Sequence, residues 1–225
     1  MFVGHYGISF AAQRLNRDIP LWVLFIAVQL LDVVWAPLVL LGVEKVRIVP
    51  GITATNPLDL YYMPYTHSLV SAVAWSVAAY AAYRLVRRLP QARGQGAAAL
   101  VGAAVFSHWV LDFIVHRPDL PLYDNTSKVG LGLWNVPAAA LGLEAMLLFG
   151  GIVLFLQGQA TAKAGLLFFG IVMLAIQVYV FFGPPPPSDR AAAMTALLAY
   201  ALFAGFVAWW GRHGNTESRR PGERR

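Results

Sequence analysis

The stretch FSHWVLDFIVHRPDLPL, residues 106–122, decides how the rest of the chain is interpreted, because it is largely apolar and still carries ionisable side chains. His108 and Asp112 are four residues apart, so on a helix they lie about 40° apart and one turn from each other. Such a pair can reach one ion. His116 lies a further turn away, about 12 Å along the axis from His108. It is therefore predicted to serve a second metal, a substrate or proton transfer.

The composition of the 225-residue chain is typical of an integral membrane protein. Hydrophobic residues make up 58% and charged residues 12%, whereas a soluble domain has about 25% charged residues. Basic residues concentrate in 84–93 and 212–225, beside apolar runs, so binding of nucleic acid is not expected despite the net charge of +6. The chain has no cysteine, which excludes thiolate zinc sites and iron–sulfur clusters. Any metal must be bound by histidine and carboxylate.

Apolar runs of about 20 residues predict an all-α fold, a polytopic transmembrane helical bundle with six full spans. The predicted spans are 20–42, 65–86, 95–115, 131–156, 163–182 and 190–211. Residues 1–211 are expected to form a single transmembrane domain, followed by a basic disordered tail, 212–225. The connection 43–64 is interpreted as a long loop, and the four consecutive prolines within 183–189 predict a stiff extended turn.

The N-terminal segment FVGHYGISFAAQ, residues 2–13, is apolar but too short to cross an ordinary bilayer. Gly4 and Gly7 suit close helix packing, which favours a short inserted or re-entrant helix over an amphipathic helix on the inner surface. The distribution of lysine and arginine places 87–94 and the basic tail in the cytoplasm. We therefore expect a multi-pass protein of a prokaryotic inner membrane.

Ionisable side chains within these apolar segments are candidates for function, since each costs about 2.5 kcal/mol or more at the bilayer centre. No lysine or arginine lies at similar depth to pair with the acids, and histidines fill that gap. In chain order, the candidates are His5, Asp32, His67, His108, Asp112, His116 and Glu144. A mixed set of imidazole and carboxylate ligands suits Zn²⁺, Mn²⁺ or Fe²⁺. A bound dication would also explain the missing counter-charges.

Four short motifs follow one another along the chain: GHYGISF at 4–10, LLD at 30–32, YTHSL at 65–69 and SHWVLD at 107–112. They resemble the ordered motifs of the membrane-bound metal-dependent hydrolase family, which includes LexA-regulated members. The stretches NPLDLYY and HRPDLPLY are also similar to those of a branch of bacterial membrane proteins. The resemblance covers most of residues 1–145. It implies that the metal ligands are His5, Asp32, His67, His108 and Asp112.

The chain also departs from the family pattern. The family commonly has two carboxylates in a P-D-x-D arrangement and an H-R-x-x-T-H-S run. Here Asp32 stands alone in LLDVVW, and PYTHSL lacks the preceding His–Arg pair. These departures count against a two-metal version of the site.

The resemblance implies a hydrolase that uses a metal-activated water. Because the site lies within the bilayer, the expected substrate is an ester or phosphoester of a lipid or lipid-linked molecule. His116 or Glu144 is predicted to be the general acid or base. Arg117, Asp119 and Asp59 are predicted to contact the substrate at the mouth of the site. Each has a structural alternative: an interfacial anchor for Arg117, a turn residue for Asp119 and the cap of a short interfacial helix for Asp59.

Two other classes of protein stay open. An accessory membrane subunit or transporter, within a complex or a homo-oligomer, would use the polar cluster structurally or as a proton relay. A b-type haem electron carrier would use His67 and His108 as axial ligands. Asp32 and Asp112 beside the macrocycle make the haem carrier the less favourable of the two.

Overall fold

A computed structural model describes residues 1–87, 91–157 and 163–213. Within these residues the chain forms eight α-helices and one small antiparallel sheet. In chain order, the elements are α1 (Val3–Leu15), α2 (Leu21–Val28), α3 (Leu30–Leu40), β1 (Lys45–Ile48), β2 (Leu58–Tyr62), α4 (Leu69–Arg87), α5 (Gln91–Val115), α6 (Pro137–Leu156), α7 (Lys163–Phe182) and α8 (Asp189–His213). The predicted all-α fold is confirmed. Most of the predicted basic tail, residues 214–225, lies outside the described residues.

The long helices are those of a multi-pass membrane protein. Helices α4 to α8 are each long and apolar enough to cross a membrane, and α2 with α3 would make a sixth, bent span. The bend between α2 and α3 is 54° and lies at Gln29, whose backbone leaves the helical region. The predicted span 20–42 is therefore two short helices. The Gln29 side chain is fully buried and donates a hydrogen bond to the Phe2 carbonyl oxygen (3.1 Å), which ties this break to α1.

Helix α1 is packed inside the bundle, so the prediction of a short inserted helix is confirmed. His5 and Phe10 are fully buried. The backbones of α1 and α6 touch at two glycines: a Cβ atom on Gly7 would lie 2.0 Å from the Leu147 carbonyl oxygen, and one on Gly151 would lie 2.1 Å from the Gly7 carbonyl oxygen. This close approach is possible only without side chains and carries His5 toward α5.

The predicted loop 43–64 contains a β-hairpin. Lys45 pairs with Tyr62 and Ile48 with Leu58, in antiparallel register. Val46 and Leu60 are buried in a second core together with Trp35 of α3. The interpretation of Asp59 as a helix cap is wrong, since Asp59 lies within β2.

The hairpin and the segment 116–136 cover one end of the bundle, which we call the capped end. Lys128 Nζ and Asn125 Nδ2 each donate to the Tyr61 carbonyl oxygen, at 2.8 and 3.2 Å. The Thr55 hydroxyl donates to the Trp134 carbonyl oxygen at 3.0 Å. These bonds hold the hairpin against the segment that follows α5.

Candidate metal centre

The five side chains predicted to be metal ligands converge below the capped end. His108 Nε2 lies 3.1 Å from Asp112 Oδ2, and His5 Nε2 lies 3.2 Å from Asp112 Oδ1. His67 Nε2 lies 3.2 Å from Asp32 Oδ1 and 3.8 Å from Asp112 Oδ2. Ligand atoms at about 2.1 Å from one ion are roughly 3.0 to 3.5 Å from their neighbours in tetrahedral or octahedral geometry. The observed separations are close to that range.

Two overlapping sets of three residues could each hold a metal ion. The first set is His5, His108 and Asp112, the second is Asp32, His67 and His108, and within each set the ligand atoms lie within 4.8 Å of one another. His108 belongs to both sets, and its Nδ1 is already 2.7 Å from the Val28 carbonyl oxygen. Because only its Nε2 is left to bind an ion, the two sets cannot each hold an ion through His108 at the same time.

Burial and missing hydrogen bonds fit the binding of a cation. His108 is fully buried, and its Nε2 makes no hydrogen bond within the described ranges, although it lies 3.1 Å from Asp112 Oδ2. An unsatisfied buried polar atom costs about 1 to 3 kcal/mol, which an ion would recover. In the part of the chain that the structure describes, Asp112 pairs with histidines and with the Met1 α-ammonium (2.6 Å), and with no lysine or arginine.

In three histidines the Nδ1 atom, on the side of the ring away from the cluster, faces a hydrogen-bond acceptor. His108 Nδ1 faces the Val28 carbonyl oxygen and His116 Nδ1 faces Asp119 Oδ1 (2.8 Å), and both oxygens only accept. His67 Nδ1 lies 2.7 Å from the Thr66 hydroxyl. That hydroxyl uses its proton to donate to Glu44 Oε2 at 2.6 Å, so it accepts from His67. All three Nδ1 atoms therefore carry a proton, which leaves Nε2 of each ring as the nitrogen that could bind an ion.

Glu44 supports His67 from outside the spans and is a residue that the sequence did not identify. Its carboxylate accepts the Thr66 hydroxyl and the backbone N–H groups of Tyr65 and Thr66. Burial raises the pKa of Glu44, and the nearby His67 and these three hydrogen bonds oppose the rise. The sequence signal for an acid at this place is the THS triplet. When its histidine binds a metal through Nε2, the threonine hydroxyl accepts from Nδ1 and needs an acceptor for its own proton.

The break between α2 and α3 serves the site in two ways. The Val28 carbonyl oxygen at the end of α2 is the acceptor for His108. Asp32 lies in the first turn of α3, where the helix dipole favours a carboxylate. Its Oδ2 accepts a hydrogen bond from the Tyr200 hydroxyl at 2.7 Å, which was not predicted from the sequence.

His116 lies beside the ligand sets and belongs to neither. Its Nε2 is 3.6 Å from Asp112 Oδ2, and its Nδ1 is held by Asp119. Arg117 donates to Asp119 Oδ2 (3.2 Å) and pairs with Asp59, which also binds Arg47 (2.6 Å). The three predicted substrate contacts, Arg117, Asp119 and Asp59, thus form one ion-pair network behind His116.

Glu144 lies against the start of α1. Its carboxylate accepts the backbone N–H groups of Phe2 (3.0 Å) and Gly4 (2.6 Å). These donors have no partner within a helix, so Glu144 caps α1 from the neighbouring helix. This contact accounts for an acid in the middle of a span, and the predicted catalytic role of Glu144 stays a prediction.

A cavity of about 500 Å³ extends from the cluster. Asp32, His67, Asp112 and His116 line one part of it, and most of the remaining lining is apolar. The polar residues Gln177 of α7 and Thr195 and Tyr200 of α8 also lie in the wall, in the last two spans, where the sequence had suggested no site residue.

No family model, curated protein or solved structure matches the chain. The fold and the site together define a multi-pass membrane protein with a buried histidine–aspartate cluster that could hold a metal ion.

Proposed function

We propose that the chain is an integral-membrane, metal-dependent hydrolase that cleaves an ester or phosphoester of a lipid or lipid-linked substrate. The observation that carries this proposal is the convergence of imidazole nitrogens and two carboxylates beside a mostly apolar cavity. The ligands would be His5, Asp32, His67, His108 and Asp112. A divalent ion there, Zn²⁺, Mn²⁺ or Fe²⁺, would lower the pKa of a water molecule and polarise the scissile group.

His116 is the best-placed side chain to move a proton. Asp119 fixes its Nδ1–H, so the free Nε2 lies beside the cluster, and His116 lines the cavity. General acid–base catalysis of this kind contributes about 10²- to 10⁴-fold. Arg117 and Asp59 hold Asp119 in place, so they act on the reaction through His116.

The first test is the metal content of protein purified in detergent without added metal, measured by mass spectrometry. We expect near-stoichiometric Zn, Mn or Fe in the wild type and loss of the metal in His108→Ala and Asp112→Ala. Asp18→Ala, at an exposed position, is the control and should keep it. A folded wild type without metal would contradict the proposal and favour a proton relay or a structural cluster.

Turnover is tested separately on a library of lipid esters and phosphoesters. His116→Gln should retain the metal and lose about 10²-fold or more in rate. Stable co-purification with one partner complex, together with no turnover of any substrate, would favour an accessory subunit instead. The haem alternative conflicts with Asp112, because its Oδ2 lies within 3.8 Å of Nε2 of both His67 and His108, where the macrocycle would have to lie.

A further inference from the structure

The cavity continues from the cluster into the space between α7 and α8. Ile176, Gln177 and Val180 of α7 line it, as do Ala196 and Ala199 of α8. Its volume, about 500 Å³, is within the range of roughly 300 to 1,000 Å³ that is usual for small-molecule sites. A molecule in this space would therefore reach the metal centre at one end and two membrane-spanning helices at the other.

Helices α7 and α8 meet far from the capped end and are separated near it. Phe169 stacks on Phe206 with ring centroids 4.3 Å apart, and a Cβ atom on Gly165 would lie 2.4 Å from the Trp210 ring. At the other end the cavity lies between the helices, and residues 184–187, all proline, connect them. Four prolines in an extended conformation span about 12 Å, so this connection keeps the two helix ends apart.

The rim of this gap faces the bilayer. Tyr179 and Val180 line the cavity although 63% and 50% of their surfaces are exposed. The exposed neighbours Phe182, Met194 and Leu198 are all apolar, as expected for helix surfaces in contact with lipid. An opening between such surfaces admits lipid chains rather than water.

Gln177 is a polar side chain in this wall whose carboxamide oxygen has no hydrogen-bond partner among the described residues. It is 1% exposed, and within the described ranges its Oε1 accepts no hydrogen bond. A buried amide oxygen of this kind costs free energy unless a ligand donates to it. The hydroxyl or amide hydrogen near the linkage of a lipid is a suitable donor.

We infer that one apolar chain of a membrane lipid enters sideways between α7 and α8 and lies in this cavity, with the Gln177 carboxamide bound to a polar group next to the lipid's scissile linkage. Only the cleavage of that linkage rests on the proposed function. The inferred binding of a lipid does not depend on the proposed function. It rests on the cavity, its opening toward the bilayer and the unpaired amide oxygen of Gln177.

The inference is tested by photolabelling, which requires no turnover. The full chain is reconstituted in phosphatidylethanolamine–phosphatidylglycerol vesicles that contain phosphatidylglycerol with a diazirine in one acyl chain. We expect labels on cavity-lining residues of α7 and α8, and a decrease of about tenfold in Ala196→Trp, which fills the cavity. The matched control Leu202→Trp, at an exposed position of the same helix that does not line the cavity, should be labelled like the wild type. Equal labelling of the two variants, or labels confined to other helices, would overturn the inference.

The Gln177→Leu variant tests the polar contact. If Gln177 binds substrate, the variant should unfold at the same or a higher temperature, because an unpaired buried amide is removed, while hydrolysis of the long-chain lipid falls about tenfold. A lower unfolding temperature would show a structural role and overturn this part. Cavity labelling in the absence of any hydrolysis would support the lipid site and contradict only the proposed reaction.

Discussion

At the scale of single residues, Thr66 is the link between Glu44 and His67. Replacing it by valine keeps the shape and removes the hydroxyl that accepts from His67 Nδ1. Because such outer hydrogen bonds typically contribute 10- to 100-fold to metal affinity, we expect metal binding in Thr66→Val to weaken by about tenfold or more. Competition with a chelator in detergent measures this. Ser76→Ala, which removes a hydroxyl that donates to the Ala72 carbonyl oxygen of the same helix, should bind metal like the wild type.

Glu44 predicts a pH dependence of stability. Burial raises its pKa above the ordinary value of 4.5, so folding favours the protonated acid, and the stability that this provides is lost as the pH rises through the folded pKa. Glu44→Gln stays neutral and lacks this loss. Relative to Glu44→Gln, the wild type should therefore become less stable as the pH is raised above about 4.5. Thermal unfolding of both proteins at several pH values measures the difference. A difference that does not change with pH, or that grows in favour of the wild type, would contradict the prediction.

The parts of the site that depend on spacing along one helix could be predicted from the sequence. His108 and Asp112 are one turn apart, and the structure places their ligand atoms 3.1 Å apart. From the sequence, His116 is compared only with His108, which lies two turns away. Asp112 lies between the two histidines, one turn from each, so His116 can still lie beside the cluster. Contacts between distant segments gave no such signal: Tyr200 reaches Asp32 across 168 residues. Such pairs are set by helix packing, which a single sequence does not reveal.

At the scale of the elements, the contact between α1 and α6 makes a prediction with a built-in control. Gly151→Ala places a Cβ atom 2.1 Å from the Gly7 carbonyl oxygen, whereas a Cβ atom on Gly150 meets nothing within 4 Å. We expect Gly151→Ala to lower the free energy of unfolding by about 1 to 3 kcal/mol, through overpacking. Gly150→Ala should be neutral or slightly stabilising, since alanine favours the helix by about 1 kcal/mol over glycine.

Thermal or denaturant unfolding in detergent measures both variants. The metal content of Gly151→Ala should fall as well, because α1 carries His5 into the centre. Equal stability of the two variants would show that α1 does not pack on α6 as the structure places it.

Helix lengths were predicted more reliably than helix breaks. Spans such as 163–182 and 190–211 correspond closely to α7 and α8, since a long apolar run has few alternatives in a bilayer. The break at Gln29 lies within an equally apolar run and depends on a hydrogen bond to Phe2, far away in the chain. The hairpin strands are only four and five residues long and are separated by glycine and prolines, so their short alternation was interpreted as a loop.

At the scale of the whole molecule, the arginines predict an orientation in the membrane. The capped end holds acids and bases together in its ion-pair network, while Arg14, Arg17, Arg84 and Arg87 lie at the opposite end, where Arg87 donates to the Asp18 carbonyl oxygen. By the positive-inside rule we expect that end to be cytoplasmic. The candidate metal centre would then lie nearer the outer surface, and the gap between α7 and α8 would open toward the outer leaflet.

This orientation is tested with single cysteines, because the chain has none of its own and labelling therefore has no background. Tyr123→Cys lies on the capped end and Arg87→Cys on the opposite end, and both positions are exposed. In intact bacterial spheroplasts, a membrane-impermeant maleimide should label Tyr123→Cys, whereas Arg87→Cys should react only after the membrane is permeabilised. The cysteine-free chain should stay unlabelled in both conditions. The reverse pattern would place the metal centre near the cytoplasmic surface, so the proposed lipid substrate would have to come from the inner leaflet, while the geometry of the site would be unchanged.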